Sequence, residues 1–330
     1  MRNSNLDLLK VIACIGVVLL HTTMPGFKET GAWNISAYLY YLGTYSIPLF
    51  FMVNGFLLLN RKTIDFSYIL KKVKGILLTV AVWNLIIWIC RRDFSINPIK
   101  KVIGSLVQKG YFFQFWFFGA LLIIYVTLPY IKKYLVNQKR YIIILLFLTS
   151  IGLLFELANI LGQRTFQSYI PQTFRLWTWY FYYLVGGYIG SLDYARLTLF
   201  IKSWGKYLSY LLLFLSLSPC YLYLMASFVH HNLFAEYFYD SLLVKVISIG
   251  VFLSFITQEK ELNNKMITQI SSLTMGVFII HTYVIKLWEK LVTTSFIGYS
   301  LLFPLIILIV SFTLTGILMR IPYVKRIVKL

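Results

Sequence analysis

Long apolar blocks, separated by short polar connections rich in Lys and Arg, follow one another from about residue 6 to residue 319. A bilayer core about 30 Å thick is crossed by roughly 20 mainly apolar residues in an α-helix. Every backbone N–H and C=O inside it needs an internal partner, which restricts spanning structures to helices and closed barrels. The blocks are too long for barrel strands and lack period-two alternation. The pattern therefore predicts an all-α integral membrane protein with about ten transmembrane helices, at residues 6–24, 37–59, 75–90, 112–131, 141–161, 177–192, 206–228, 241–257, 272–288 and 299–319. The third, sixth and eighth of these are short, and polar residues interrupt the ninth. No internal repeat is evident and no stretch between spans is long enough for a soluble domain, so residues 1–330 read as a single membrane domain. Arg2 before an apolar run resembles a signal peptide. Asp7 and Lys10 interrupt the start of that run, however, and no small-residue cleavage site precedes Pro25, so a retained first helix is expected.

Composition changes this picture little. The chain is 59% hydrophobic, above the roughly half that is usual for soluble domains. Its net charge of +20 would suggest nucleic acid in a soluble protein. Here the cations cluster between apolar blocks, so the charge is assigned to topology and to the anionic headgroups of a lipid bilayer, with no nucleic-acid partner. With the N-terminus inside, twenty Lys and Arg fall on the cytoplasmic side, including Arg2, Lys10, Arg196, Lys202, Lys260, Arg326 and Lys329. Ten fall outside, and Lys245 lies within a span. That asymmetry predicts a plasma-membrane protein with both termini cytoplasmic. The segment 91–109 departs from it, with Arg91, Arg92, Lys100, Lys101 and Lys109 on the outer side, and suggests a re-entrant or surface role. Cys14, Cys90 and Cys220 are far apart and have neither disulfide nor metal-ligand spacing.

Ionisable groups inside a span are costly and usually face a cavity or pathway. The first helix carries three: Asp7, Lys10 and His21. Eleven residues separate Lys10 from His21, just over three helical turns, which puts them on one face about 16 Å apart along the axis. Asp7, three residues before Lys10, shares that face and is placed to pair with it. A cation near the inner surface with a deeper imidazole in line suits a ligand with an anionic head and a buried reactive end. The plainer reading makes Lys10 a snorkelling topology charge and His21 a boundary residue bonded to a carbonyl.

The run Asn5-Leu6-Asp7-Leu8-Leu9-Lys10-Val11-Ile12-Ala13, ending at His21, resembles the opening of the membrane-bound acyltransferase 3 family, whose hallmark is Arg or Lys, ten residues, then His. Four further segments resemble family motifs in order. They are Ile47-Pro48-Leu49-Phe50-Phe51-Met52-Val53-Asn54-Gly55-Phe56-Leu57-Leu58, with Asn54 where Ser is usual; Phe115-Trp116-Phe117-Phe118; Tyr182-Tyr183-Leu184-Val185-Gly186-Gly187-Tyr188; and Gly276-Val277-Phe278-Ile279-Ile280-His281. After the second helix the family often has two arginines and a proline, where this chain has Lys72, Gly75 and Thr79. The resemblance implies an O-acyltransferase moving an acyl group, commonly acetyl, from cytoplasmic acetyl-CoA to a hydroxyl of a carbohydrate or lipid-linked glycan acceptor of the cell envelope. With the residue reading, it implies that Lys10, helped by Lys72 and Lys74, holds the CoA phosphates. His21 then acts as general base or takes the acyl group itself, and Asp7 orients Lys10.

Other polar residues are open to two readings each. His281, in a segment with Ser271, Ser272, Thr274 and Thr282, lines the same cavity or bonds across helices. Glu156, deep in the fifth span, is protonated, paired or functional. Asn54 packs between helices or touches substrate. Arg175 meets an acidic or phosphorylated acceptor or anchors the sixth span. His230 and His231, with Glu236 and Asp240, suggest no ligand geometry, so no metal is expected. The competing function is a transporter or flippase for an envelope glycan or its precursor. Such proteins often have broken helices in related halves, and no such halves are seen here.

Overall fold

A computed structural model describes residues 4–28, 31–135, 137–193, 197–199, 201, 206–258, 265–291 and 299–328. The topology charges Arg2, Arg196, Lys202, Lys260 and Lys329 lie outside the described residues. Those residues form helices and no strand. In chain order these are α1 (Ser4–Thr22), α2 (Ile35–Leu42), joined by the 3₁₀ turn Gly43–Tyr45 to α3 (Ser46–Leu59), α4 (Phe66–Arg91), α5 (Pro98–Leu106), α6 (Trp116–Tyr134) and α7 (Gln138–Gly162). Then come α8 (Leu176–Ser191), α9 (Tyr207–Leu224), α10 (Leu242–Ile256), α11 (Lys265–Leu291), α12 (Tyr299–Leu318) and α13 (Pro322–Val328).

Eight of the ten predicted spans are helices long and apolar enough to cross a membrane. The third was expected to start at residue 75, yet α4 begins at Phe66 and runs straight through Lys71, Lys72 and Lys74. Lysine is a good helix former, and its long stem lets the charge leave the apolar zone without ending the helix. The ninth span was expected to be interrupted, and α11 is instead continuous. Its polar residues are absorbed: Thr274 Oγ1 donates to Ser271 O at 2.9 Å and Ser272 Oγ to Gln269 O at 2.6 Å.

The sixth and eighth spans are indeed short, 16 residues in α8 and 15 in α10, or about 24 and 22 Å at 1.5 Å per residue. Both nevertheless traverse the bundle. α8 runs parallel to α3, with Phe51 stacked on Trp179 at 4.8 Å, Gly55 against Tyr183 and Leu59 against Gly187. α11 runs parallel to α1: Asp7 meets Ser271, Cys14 meets Thr274 and His21 meets His281. With helices alternating in direction, both parallel pairs need α8 and α10 to cross. The start of α1 and the end of α12 then lie at the same end of the bundle.

Small residues set the closest approaches, as they do where apolar burial gives neighbouring helices no driving force. A Cβ on Gly55 would overlap the Tyr183 carbonyl, one on Gly186 the Met52 carbonyl, and one on Gly16 the Ser46 hydroxyl. α8 is wrapped by protein, whereas α7 and α9 turn Leu146, Phe147, Leu154, Leu213 and Leu217 outward. In a bilayer those are lipid-facing positions.

Candidate active site

α1 and α11 carry the central chemistry along their shared seam. Near one end, Asp7 is 1% exposed and accepts from Lys10 Nζ at 3.2 Å and from Ser271 Oγ at 2.9 Å. The expected Asp7–Lys10 pair therefore exists, and it also ties the two helices together. Two turns on, Cys14 Sγ faces Thr274 O at 3.7 Å. Near the other end, the His21 and His281 rings lie 5.1 Å apart between centroids, and the Phe113 edge closes on His21 at 5.3 Å.

The His281 tautomer follows from its surroundings. The side chain is fully buried, and Nδ1 lies 3.0 Å from Val277 O. A carbonyl only accepts, so Nδ1 carries the proton and Nε2 is the bare nitrogen. Nε2 has no hydrogen-bond partner among the described residues. His21 is partly accessible and likewise makes no hydrogen bond to a described residue. Two imidazoles with open nitrogens thus lie against one another. Gln114 stands beside them, its Nε2 donating to Thr282 Oγ1 at 2.8 Å and Ile279 O at 3.2 Å, with a buried, unpartnered Oε1. No spacing rule singled out Gln114. Its only signal was a polar residue inside an aromatic run.

At the end of the bundle near Lys10, a cleft of about 360 Å³ opens between α4, α6 and α11. Lys71, Lys72 and Arg326 line it together with Tyr68, and Asn54, Tyr125 and Met275 form its inner part. A smaller cavity of about 40 Å³ shares Asn54 and Met275 and reaches Phe278, whose ring lies 6.2 Å from that of His281. Basic groups and an apolar throat therefore follow in sequence as far as Phe278, and neither His21 nor His281 lines either space.

Of the three lysines expected to hold phosphates, only Lys72 lines this cleft. Lys74 is two residues on, about 200° round the helix, and is exposed on another face. Lys10 is held by Asp7 and is not part of the cleft wall. Lys71 and Arg326 line the cleft beside Lys72. Arg326 arrives on α13, which folds back against the bundle with Trp83 Nε1 donating to Ile327 O at 3.0 Å and Val328 buried beside Gly276.

The remaining candidates are brought elsewhere. Asn54 accepts from Tyr125 Oη at 3.1 Å and donates to Phe50 O at 2.9 Å, a helix-to-helix bond at the cleft's inner end. Glu156 accepts from Leu242 N at 3.0 Å, placing its carboxylate at the N-terminus of α10, where the helix dipole favours it. Arg175 is buried; it donates to Ile170 O at 3.0 Å and Glu236 O at 3.1 Å and pairs with Glu236 Oε1 at 3.2 Å. The chain's own acid fills the role assigned to an acidic acceptor, so Arg175 anchors α8. His230 stacks on Phe238 at 5.1 Å, and His231 adopts a left-handed backbone, so the two point apart. Among the described residues, no three His, Cys, Asp or Glu gather as metal ligands.

A family model described as an acyltransferase domain matches residues 3–320, nearly the whole chain. This chain belongs to the acyltransferase 3 family. The match contains both imidazoles and two of the three cleft cations, and it ends before α13, which carries Arg326. No curated protein and no solved structure matches the chain. As a member of this family it is an acyltransferase built from membrane-spanning helices.

The seam between α1 and α11 has a measurable weak point. Asp7→Ala removes the acceptor shared by Lys10 and Ser271. A hydrogen bond to a charged group contributes about 1.5–3 kcal/mol, less here because Lys10 is partly exposed. The melting temperature of the purified protein should fall by several degrees, and Asp7→Glu should recover part of the loss.

Proposed function

We propose that this protein is a membrane-bound O-acyltransferase that moves an acyl group, foremost acetyl, from cytoplasmic acyl-CoA to a hydroxyl of an envelope or exported carbohydrate. The observation carrying this reading is the run from Lys71, Lys72 and Arg326 to the Asn54–Met275 throat, which ends at Phe278, the neighbour of His281 in the His21–His281 pair. Phosphates of the donor sit among the three cations, Arg326 offering a bidentate fork and the lysines point charges. The pantetheine arm extends along the apolar throat, which is of the right character for a thin, mostly apolar chain. Both termini then lie in the cytoplasm, at the end where the cleft opens.

His21, the more accessible imidazole, takes the proton of the acceptor hydroxyl as its oxygen attacks the thioester carbonyl. The carbon–sulfur bond breaks, the electron pair leaves with sulfur, and the imidazolium returns its proton to the thiolate. The products are the acyl ester and free CoA. His281, with Nε2 bare, packs against His21 and fixes its ring. Lys10, fixed by Asp7, holds the register of α1 against α11 and so positions His21.

Purified protein given acetyl-CoA labelled in its acetyl group tests the reading. Lys72→Gln with Arg326→Gln should raise KM for acetyl-CoA at least tenfold while changing kcat less. The same variant should leave KM for acetyl-pantetheine, which lacks the nucleotide phosphates, unchanged. Equal KM values for acetyl-CoA in variant and parent would remove the cleft from donor binding. Glycan movement across vesicles without any acyl-CoA would replace transfer with transport.

A further inference from the structure

The far end of the bundle from the cleft carries a second group of cations, gathered on Tyr111 and Tyr283. α4 starts beside the cleft and ends at Arg91, so Arg91 and the segment after it lie at the opposite end. Lys101 Nζ stands 4.6 Å from the centre of the Tyr111 ring, and the Arg91 guanidinium 5.5 Å from the same ring. Tyr283 Oη donates to Tyr111 O at 3.3 Å, and Lys286 Nζ lies 4.8 Å from the Tyr283 ring. Arg91 is within electrostatic reach of Lys286. Two cations from one wall and one from the other are thereby gathered on a pair of joined tyrosines.

Those tyrosines neighbour the chemistry along the chain. Tyr111 is two residues before Phe113, which packs on His21, and Tyr283 is two residues after His281, about 200° round α11 and so on another face of that helix. The acids nearby are fewer than the cations: Asp93 is bonded to Tyr111 Oη at 2.5 Å, and Glu289 is within electrostatic reach of Lys286. Arg92, Lys100 and Lys109 add exposed positive charge around the rim. This is the segment that departs from the charge asymmetry of the rest of the chain. Like charges held together over an apolar, aromatic floor are costly unless an anion is meant to sit among them.

We propose that Arg91, Lys101 and Lys286 form a docking site for an anionic acceptor, a glycan or polyol polymer bearing phosphate or carboxylate groups, whose hydroxyl is thereby brought to His21. This rests on the transfer reading above and names the acceptor's chemical class. The cations bind the acid groups, while the rings of Tyr111 and Tyr283 offer flat faces for the carbon skeleton between them. Donor phosphates and acceptor anions are then held at opposite ends of one bundle, with the imidazoles between.

Binding, measured apart from turnover, tests the site. Protein in discs of neutral phosphatidylcholine is titrated with a fluorescent glycerol-phosphate oligomer and, separately, with a neutral dextran oligosaccharide. The parent should bind the phosphate oligomer at least tenfold more tightly than dextran, and the preference should shrink as salt rises. The triple variant Arg91→Gln, Lys101→Gln, Lys286→Gln should lose the preference. The charge-matched variant Lys133→Gln, Lys139→Gln, Arg140→Gln, at the cleft end, should keep it and so controls for net charge. His21→Ala should also bind normally, which separates a failure of this site from a failure of the transfer reading. Equal binding of the two oligomers by the parent would overturn the proposal. So would an effect of the triple variant seen only when phosphatidylglycerol is in the disc, because the cations would then serve lipid headgroups.

Discussion

His21→Ala is expected to reduce acyl transfer from acetyl-CoA by about 10²- to 10⁴-fold, the range over which a positioned general base contributes. Membrane abundance should stay normal. His21 makes no hydrogen bond to a described residue and is partly accessible, so its removal leaves no buried partner stranded. The loss should fall on kcat, because His21 lines neither the cleft nor the smaller cavity in which the donor is proposed to sit. His281→Ala tests the second ring. It strips a fully buried side chain and frees Val277 O from Nδ1, so both activity and stability should fall. His281→Gln can keep a donor toward Val277 O while losing the imidazole. If His281→Gln restores stability without restoring transfer, the ring fixes His21 for transfer and is not merely filler. Full transfer by His21→Ala would end the assignment of this pair as the reacting centre.

Gly186→Val is expected to abolish the folded protein, seen as loss of the monodisperse peak on size-exclusion chromatography. A Cβ at this position meets the backbone carbonyl of Met52, and the reciprocal position, Gly55, meets that of Tyr183. Overpacking a core with flexible neighbours costs about 1–3 kcal/mol. Here the obstacle is backbone on both sides, which moves only if α3 and α8 separate. Their separation would displace Trp179 from its stack on Phe51 and loosen the aromatic block formed with Trp116 at 4.9 Å. Gly55→Val should behave the same way. Gly316→Val is the control: it is also a helical glycine, but a Cβ there has nothing within 4 Å, and it should fold as the parent does. A well-folded Gly186→Val protein would mean that α3 and α8 do not pack as described.

The helix boundaries show where residue-by-residue reading succeeds and where it stops. Hydropathy located the spans because the requirement to satisfy backbone groups in lipid acts on each segment by itself. It misplaced the start of α4 because Lys71, Lys72 and Lys74 look like a loop, although a helix can carry lysines on a face that leads out of the membrane. It also misjudged α11. Ser271 and Thr274 are polar in composition, but one bonds Asp7 on another helix and serves as acceptor for the other within its own turn. Glu156 and Arg175 posed the same problem. Each was visibly in need of a partner, and the partners, Leu242 N and Glu236, lie more than sixty residues away in each case.

The shared face of Asp7, Lys10 and His21 was settled by the chain alone, because the phase of an α-helix is a local property that no neighbour alters. The membrane class, eight of the spans and the family motifs were legible for the same reason. Tertiary structure decided which helix that face meets. It set His281 against His21, left Lys10 to Asp7, and drew Arg326 from the last helix into the cleft with Lys71 and Lys72. Those pairings depend on which helices can approach closely, through small residues such as Gly55 and Gly186 and through hydrogen bonds between distant segments. The energy of such contacts exists only once the bundle is assembled.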